Sequence, residues 1–325
     1  MPRFPHIVAG LALALSTCLA CSAASAQVWP SKPVRFVVPF APGGGSDVKA
    51  RVLGDQLYKV LGQRFIIENR PGMAGSVGAS VVAKAAPDGY TILFGTPGPQ
   101  ITNPYLYKEL PYDAEKDLAP VILLFRIPNV LVVNPSVPAK NLKELIAYAK
   151  AKPDALNFAS TGNGSSSHLA GELLKFMAGI GMTHVPYKGS APSAIALIAG
   201  EVQVTIDSIA AFHPHYSSGR LRVLGVSTLE RLPSEPDIPA IAETVPGFEG
   251  SAITYIAITG GTPQPVIERL NGALNQILKM TEVIQRFAGD RVVPVGGTPE
   301  NLAAVLRAER VKWKRIIELT GARAE

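Results

Sequence analysis

Short runs of apolar and β-branched residues alternate with segments of helical period along almost the whole chain. The apolar runs are typical of strands that are buried on both faces of a sheet. The segments between them carry the apolar stripe of an amphipathic helix, as at Ala50, Leu53 and Leu57. This alternation predicts an α/β fold. Strands are predicted at residues 34–38, 65–68, 90–94, 130–134, 156–160, 183–187, 203–207, 221–227 and 251–258.

Capping signals mark the starts of three predicted helices. Ser46 is placed to cap the helix that follows the first strand, and Asn141 with Glu144 has capping-box spacing. Thr298 followed by Pro299 predicts the start of a last helix, which stops at Gly321.

The length of 325 residues favours two compact domains. Two strand-like runs meet at Ile127-Pro128 with no helix between them, and the stretch 232–250 is rich in proline. We interpret both places as crossovers between the domains. The first domain is then discontinuous, with residues 27–126 and 251–325, and the second is 127–250. The proline-rich stretch fits a long surface loop equally well.

The first 26 residues have the pattern of a secretory signal peptide. Arg3 is followed by an apolar stretch over residues 7–20 and by the small-residue cleavage site Ala24–Ala26. The apolar stretch is too short for a permanent membrane anchor, so we expect export to the periplasm. Cys18 and Cys21 both lie in this leader, and the mature chain has no disulfide. The residues before them disfavour a lipid anchor but leave it open.

Composition and charge narrow the range of partners. The chain is 47% hydrophobic and 17% charged, as in globular proteins. Its net charge of +6 is spread among acids, without basic runs or interleaved aromatic residues, so we expect no nucleic-acid binding. A mildly basic surface suits a small anionic ligand.

The segment "VPFAPGGGSDVKAR" (38–51) joins the first strand to the first helix through a glycine-rich turn. Phe40 and Ala41 precede Gly43, Gly44 and Gly45, which leave the backbone open to close approach. The first N–H groups of the helix are unpaired and carry the positive end of its dipole, so the turn could hold a carboxylate or phosphate. An ordinary βα turn is the alternative, because the turn matches neither a dinucleotide-binding nor a P-loop motif.

A second loop of similar character lies in the central part of the chain. Ser160 and Thr161 end a strand, Asn163 lies in a Gly-Asn-Gly turn, and Ser165 and Ser166 precede a helix. One such loop in each domain favours two jaws that close on one anion. Ligands of open α/β sheets bind at the carboxyl ends of strands, where both loops are expected.

Other polar residues of these regions allow further interpretations. Ser165 or Ser166 with His168 could form a hydrolase pair, although the G-x-S-x-G elbow is absent. His213 and His215 have no third metal-ligand cluster, so no metal is expected. Asp207 ends a strand, where it could contact a ligand or cap the helix that follows. Tyr187 and Lys188 lie in a loop before another helix, where a solvated lysine is the simpler interpretation.

Nine segments spread along nearly the whole chain have a recognisable pattern: "PFAPGGGSDVKAR", "ENRPGMAGSVGA", "APDGYTILFGT", "NPYLYKELPYD", "LVVNPSVPAKNLKELIAYAKAKP", "FASTGNGSSSHLAGELLK", "VPYKGSAP", "GRLRVLGVST" and "PVGGTPENLAAVLRAERVKW". As a set they resemble the solute-binding proteins of tripartite tricarboxylate transporters, the TctC-like or Bug family. Two stretches depart from the family pattern: "SAITYIAITGGTP", where Tyr255 replaces the usual tryptophan as the aromatic residue, and "PGPQ" after Thr96.

The resemblance implies a two-lobed periplasmic-binding-protein fold of the Venus flytrap, type II-like class with two crossover segments. It implies capture of a small carboxylate without cofactor or catalysis, followed by delivery to the permease subunits of a tripartite tricarboxylate transporter. We expect a monomer. A sensor partner that presents the ligand to a receptor, and a secreted serine hydrolase, remain the alternatives. The implied contacts are Phe40 to Gly45, Thr96, Ser160 to Ser166, His168, Tyr187 and Asp207.

Overall fold

The computed structural model describes residues 29–153, 155–288, 291–321 and 323. The predicted signal peptide and its two cysteines lie outside the described residues. Within the described part of the chain, no helix has the length and apolar character needed to cross a membrane.

Two mixed β-sheets organise the chain. The first has six strands in the order β11-β4-β10-β3-β1-β2, and we call it, with its helices, lobe 1. In it β1 pairs in parallel with β2 and β3, whereas β10 is antiparallel to β3 and β4. Its strands are β1 (Val34–Val38), β2 (Phe65–Asn69), β3 (Thr91–Gly95), β4 (Leu118–Ile127), β10 (Ala252–Thr259) and β11 (Val293–Pro294).

The second sheet has five strands in the order β7-β6-β8-β5-β9 and forms lobe 2 with its helices. Here β6 is parallel to β7 and β8, and β5 is antiparallel to β8 and β9. Its strands are β5 (Asn129–Val133), β6 (Asn157–Ser160), β7 (Thr183–Pro186), β8 (Val204–Ser208) and β9 (Arg222–Val226).

The helices cover both faces of the two sheets. Short 3₁₀ turns lie at residues 73–75 and 241–243, and a π-helical turn at 98–102. The helices are α1 (Gly45–Leu61), α2 (Ser76–Ala83), α3 (Asn103–Leu106), α4 (Leu142–Ala151), α5 (Ser166–Ala178), α6 (Ser190–Ala199), α7 (Ile209–Tyr216), α8 (Gln264–Leu278), α9 (Thr281–Ala288) and α10 (Pro299–Thr320).

Two of the three predicted caps are confirmed, and one is wrong. Asn141 Oδ1 accepts from Glu144 N at 2.9 Å, and Thr298 Oγ1 accepts from Asn301 N at 3.2 Å. Ser46 is not a cap: α1 begins one residue earlier, with Gly44 in the extended N-cap conformation. Among the described residues no side chain caps this helix, because three successive glycines offer none before the first turn.

Both sheets are mixed because the chain crosses between the lobes twice at one edge. β4 ends at Ile127 as the chain leaves lobe 1, and β5 begins at Asn129 in lobe 2. The chain returns to lobe 1 after Gly250, where Ala252 of β10 pairs with Ile127 of β4. The strand by which the chain enters a lobe therefore runs antiparallel to the neighbouring strand by which the chain leaves it. Continuous apolar runs thus occur in these mixed sheets and do not require a purely parallel sheet.

Buried Asn129 ties the two crossovers together. Its Nδ2 donates to the carbonyl of Gly250 at 2.8 Å, and its backbone N–H donates to Ser227 Oγ at 2.8 Å. Next to it, Arg126 Nη1 donates to Glu249 Oε1 at 2.5 Å. Two polar links thus hold the outgoing and returning segments side by side.

Apolar packing joins the lobes on one face. One cluster includes Leu93 and Tyr255 of lobe 1 together with Leu131 and Phe158 of lobe 2. Helices α5 and α10 contact each other within this layer. The opposite faces have separate cores, one under α1 and α8 and the other under α6 and α7.

Gly95 makes room for the buried ring of Tyr255 on the neighbouring strand. A Cβ on Gly95 would overlap that ring, which is fully buried, and Tyr255 pairs directly with Gly95 in the sheet. We predict that Gly95→Ala lowers the free energy of unfolding by about 1–3 kcal/mol, because the core must shift to avoid the overlap. Denaturant unfolding of the mature chain measures the change.

Gly272→Ala is the matched control, because Gly272 lies inside α8 with no atom within 4 Å of an added Cβ among the described residues. Helix propensity predicts that it stabilises the protein by about 0.5–1 kcal/mol. Equal effects of the two substitutions would contradict the steric explanation for Gly95.

Candidate functional site

The two loops singled out in the sequence follow interior strands of the two sheets, each next to an edge strand. Loop 1 (Phe40–Gly45) follows β1, whose neighbour β3 ends just before Thr96. Loop 2 (Ser160–Ser166) follows β6, whose neighbour β8 ends next to Asp207. In each lobe, therefore, a loop and a second predicted residue lie at the carboxyl ends of adjacent parallel strands.

Loop 1 leads into α1 with its glycines exposed. Gly43 has φ of +80°, a left-handed conformation that favours glycine, and Gly44 is extended with φ of −75°. Ala41 is exposed and Phe40 is half-buried. The first N–H groups of α1 have no partner within the helix, so the exposed turn directs donors outward.

The carboxylate of Asp47, which is 3% exposed, holds loop 1 from inside. Its Oδ2 accepts from the backbone N–H of Gly43 at 3.0 Å and from Arg51 Nε at 2.9 Å. Its Oδ1 accepts from Asn69 Nδ2 at 2.9 Å, and the same Nδ2 donates to the carbonyl of Phe40 at 3.1 Å. Asp47 and Asn69 therefore position both ends of the loop.

These contacts determine which backbone N–H groups of loop 1 are available to a ligand. The hydrogen bond from Arg51, with those from Gly43 and Asn69, lowers the pKa of Asp47 to about 2, so its carboxylate is ionised at neutral pH. The amide of Gly43 already serves this internal anion. The donors that remain for a ligand are those of Gly44, Gly45 and the first turn of α1. Asp47 and Arg51 are only four residues apart in the sequence, whereas Asn69 joins them because the fold brings β2 beside β1.

Loop 2 is held by hydroxyl groups within its own turn. Ser165 caps α5, because its Oγ accepts from the backbone N–H of His168 at 3.2 Å. Ser167 Oγ accepts from Thr161 N at 2.8 Å and lies 3.0 Å from both Thr161 Oγ1 and Ser165 Oγ. The structure thus brings three predicted residues, Thr161, Ser165 and His168, into one network around Ser167. Asn163 is exposed and Ser166 is half-buried at the start of α5.

Two stacked histidines support loop 2 from below. The rings of His168 and His184 lie 3.9 Å apart at an angle of 14°, with Phe158 stacked on His184. The backbone N–H of Gly164 donates to His168 Nδ1 at 3.1 Å, and Ser160 Oγ lies 2.6 Å from His184 Nε2. Burial lowers the pKa of His168 to about 3 and that of His184 to about 4, so both rings are neutral at pH 7.

His184 could not be singled out from the sequence, because nothing in a strand pattern shows which residue of an edge strand lies under the neighbouring loop. The parallel pairing of β6 with β7 sets Phe158 opposite His184 and so carries the ring toward Ser160. The sequence allowed His168 to be a hydrolase partner or a ligand contact. Its 6% exposure and its stacking on His184 show that it packs inside lobe 2.

The remaining predicted contacts, Thr96, Asp207 and Tyr187, lie at the carboxyl ends of strands. The carbonyl of Thr96 accepts from Tyr255 OH at 3.0 Å, and within the described residues Thr96 Oγ1 has no hydrogen-bond partner. Asp207 Oδ1 accepts from Ser208 N at 2.7 Å, and its buried Oδ2 has no partner in the described part of the chain. Burial raises the pKa of Asp207 to about 6. Tyr187 is half-buried against the lobe 2 core.

Loop 2 also touches lobe 1. A Cβ added to Gly164, which has φ of +73°, would lie 2.8 Å from Leu106 Cδ1 in α3. Backbone of lobe 2 therefore contacts a buried side chain of lobe 1 beside the candidate site.

A family model described as the tripartite tricarboxylate transporter family receptor matches residues 49–322 of this chain. The chain belongs to this receptor family. Among its relatives, Protein BugT of Bordetella pertussis is 34% identical over 320 residues, which cover 98% of each chain. A UPF0065 protein of Pseudomonas sp. strain P51 is 37% identical over 314 residues, covering 96% of this chain and 93% of the relative.

Solved structures of similar proteins share the two-lobed periplasmic-binding-protein fold of this receptor. Rpa4515 of R. palustris with adipate superposes with a TM-score of 0.78 at 38% identity, covering 91% of this chain and 99% of that one. MatC of Rhodopseudomonas palustris with bound malate gives a TM-score of 0.74 at 33% identity, covering 89% and all of the chains, respectively. The expected fold and family are confirmed.

The hydrolase alternative fails for this receptor on family and on geometry. Its relatives in this family are solute-binding receptors rather than enzymes. Ser165 Oγ bonds to the backbone of His168 rather than to its ring. The pair of Ser160 and His184 has hydrogen-bonding distance, but Ser160 is fully buried. Among the described residues no group of three His, Cys, Asp or Glu is placed to hold a metal ion.

Asp47 provides the first test of this site. We predict that Asp47→Asn lowers the free energy of unfolding by about 1–3 kcal/mol, because an amide cannot accept from Gly43, Arg51 and Asn69 together. Arg51→Ala is the control and should cost less than about 1 kcal/mol, since the side chain of Arg51 is 54% exposed. Urea unfolding measures both, and similar costs would show that Asp47 acts only through the exposed ion pair.

The pKa shifts of His168, His184 and Asp207 predict opposing pH dependences of stability. With pKa values lowered from 6.5 to about 3 and 4, His168 and His184 contribute stability at neutral pH that is lost as pH falls from 6.5 toward 4. Asp207, with its pKa raised from 3.8 to about 6, contributes stability at low pH that is lost as pH rises through 6.

Asp207→Asn should therefore make stability rise more steeply with pH between about 4 and 6, since it removes the opposing group. The amide oxygen of asparagine can still accept from Ser208 N. His184→Gln should make the rise shallower. Denaturant unfolding at half-unit pH steps measures both slopes. Parallel curves for wild type and Asp207→Asn would show that the pKa of Asp207 is not raised in the folded protein.

Proposed function

We propose that this receptor captures a small organic carboxylate between its lobes through backbone amides of loops 1 and 2. The observation that carries the proposal is a pair of helix N-termini, one in each lobe, that follow the carboxyl ends of strands: α1 behind exposed Gly44 and Gly45, and α5 behind Ser165. Unpaired N–H groups and the helix dipole favour an anion there. The similar structures that contain adipate and malate support a carboxylate as that anion.

Backbone and side-chain groups have different roles in binding the ligand. The amides of Gly44, Gly45 and Ser166 hold one carboxylate, and no arginine is needed. Thr96, Tyr187 and Asp207 then select the rest of the ligand. Asp207 Oδ2, which lacks a partner among the described residues, accepts from a hydroxyl or ammonium group of the ligand.

The wider role follows from the family. We propose that the leader directs export, that residues 27–126 with 251–325 and residues 127–250 are the two lobes, and that the mature chain is a monomer. The closed receptor delivers its ligand to the membrane permease of a tripartite tricarboxylate transporter. Support comes from the family match and from the two sheets that meet at the crossovers.

A thermal-shift screen of the mature chain tests the ligand class. We expect stabilisation by mono-, di- or tricarboxylates, aromatic acids or amino acids, amounting to about 2.7 kcal/mol at 100 times the dissociation constant. The ligand should be recovered unchanged. An absence of stabilisation by every acid, together with stabilisation by neutral sugars or cations, would refute the proposal.

Proline substitutions at the first helical position test the amides themselves. Gly45 in α1 and Ser166 in α5 each follow an extended N-cap residue, so proline fits there and removes the N–H donor, together with the side-chain hydroxyl in the case of Ser166. We predict that Gly45→Pro and Ser166→Pro each weaken carboxylate binding about 10- to 100-fold, the value of one charge-assisted hydrogen bond. Titration calorimetry with an acid from the screen measures the loss.

Gln264→Pro is the matched control, because Gln264 is the first residue of α8 and follows an N-cap residue, Pro263, with φ of −57° and ψ of 136°. It should leave affinity unchanged. Equal affinity of all three variants would place the carboxylate elsewhere.

A further inference from the structure

An ion pair links the lobes at a place outside the candidate site. Arg291 Nε donates to Glu235 Oε1 at 2.8 Å, and the two side chains are 23% and 15% exposed. Arg291 belongs to lobe 1, where its backbone N–H donates to the carbonyl of Ala288 at the end of α9. Glu235 belongs to lobe 2. The pair therefore spans the boundary without being part of either crossover.

Glu235 is held firmly on lobe 2. Its neighbours Leu232 and Ile238 are buried in the same core as Phe212. Its Oε1 also accepts from Tyr216 OH at 3.3 Å and lies 3.6 Å from His213 Nε2. Lobe 2 thus presents a fixed acceptor to the single guanidinium that reaches it from lobe 1 among the described residues.

The sheet order places this pair on the opposite side of the crossovers from the two loops. In lobe 1, β11 lies outside β4 and β10, whereas β3 and β1 lie on their other side. Val293 of β11 pairs with Arg126, so Arg291 is level with the crossover that follows β4. When lobes turn about their crossovers, groups on one side approach as groups on the other side separate.

We propose that Glu235 and Arg291 form a latch that stabilises the arrangement of the lobes in this structure against further closure. Closing loops 1 and 2 on a ligand pulls Arg291 away from Glu235, and the lost contact reduces affinity. Breaking the latch shifts the ligand-free population toward the closed state and strengthens binding. This inference concerns the lobe equilibrium and holds whatever ligand the site takes.

Interlobe distances in the ligand-free protein test the latch directly. The mature chain has no cysteine of its own, so Ile66→Cys on β2 and Ile195→Cys on α6, which are 54% and 69% exposed, accept spin labels. Both positions lie on the loop side of the crossovers. We expect Glu235→Gln and Arg291→Gln to shorten the mean label distance, and the charge reversal Glu235→Arg with Arg291→Glu to restore it.

Glu243→Gln is the matched control, because Glu243 pairs with Arg231 within lobe 2 at 2.8 and 2.9 Å. It should leave the distance unchanged. With an acid identified by the thermal-shift screen, Glu235→Gln should tighten binding about two- to fivefold, as expected for one partly exposed ion pair. An unchanged or longer label distance in Glu235→Gln would overturn the latch, even if carboxylate binding itself were normal.

Discussion

The hydrogen bonds of Asn129 join the two crossovers, and the arrangement of both lobes depends on that junction. Because the chain leaves lobe 1 and returns to it at one place, β10 must run beside β4 and in the opposite direction. The parallel strands β1, β3, β6 and β8 are then left on one side of the junction, with their carboxyl ends carrying loops 1 and 2. The same constraint leaves Arg291 and Glu235 on the other side.

Each loop is shaped by polar groups of the protein itself rather than by a ligand. Asp47 supplies an internal anion for loop 1, and the neutral imidazole of His168 accepts the Gly164 amide of loop 2. Donors that are already fixed need no reordering when an anion arrives, which reduces the entropic cost of binding. In our proposal the amides recognise the carboxylate common to many acids, whereas the side chains around them distinguish one acid from another.

Local features of this protein could be read from the sequence because their causes lie within a few residues. The apolar runs located most of the strands, Asn141 and Thr298 cap helices through bonds three residues along, and Asp47 pairs with Arg51 one helical turn away. Ser46 failed as a cap because the helix could begin at Gly45 once the glycine turn had placed Gly44 in an extended conformation. The glycine- and serine-rich loops were recognisable for the same reason: helix N-termini always leave amides unpaired.

Contacts between distant segments were decided only by the tertiary structure. Asn69 reaches loop 1 because β2 pairs with β1, His184 reaches Ser160 because β7 pairs with β6, and Tyr255 reaches Thr96 because the returning strand pairs with β3. Glu235 and Arg291, 56 residues apart, meet only because both flank the crossovers. A sequence pattern encodes burial and local hydrogen bonding, whereas strand order and the partners of buried polar groups follow from how the whole chain packs.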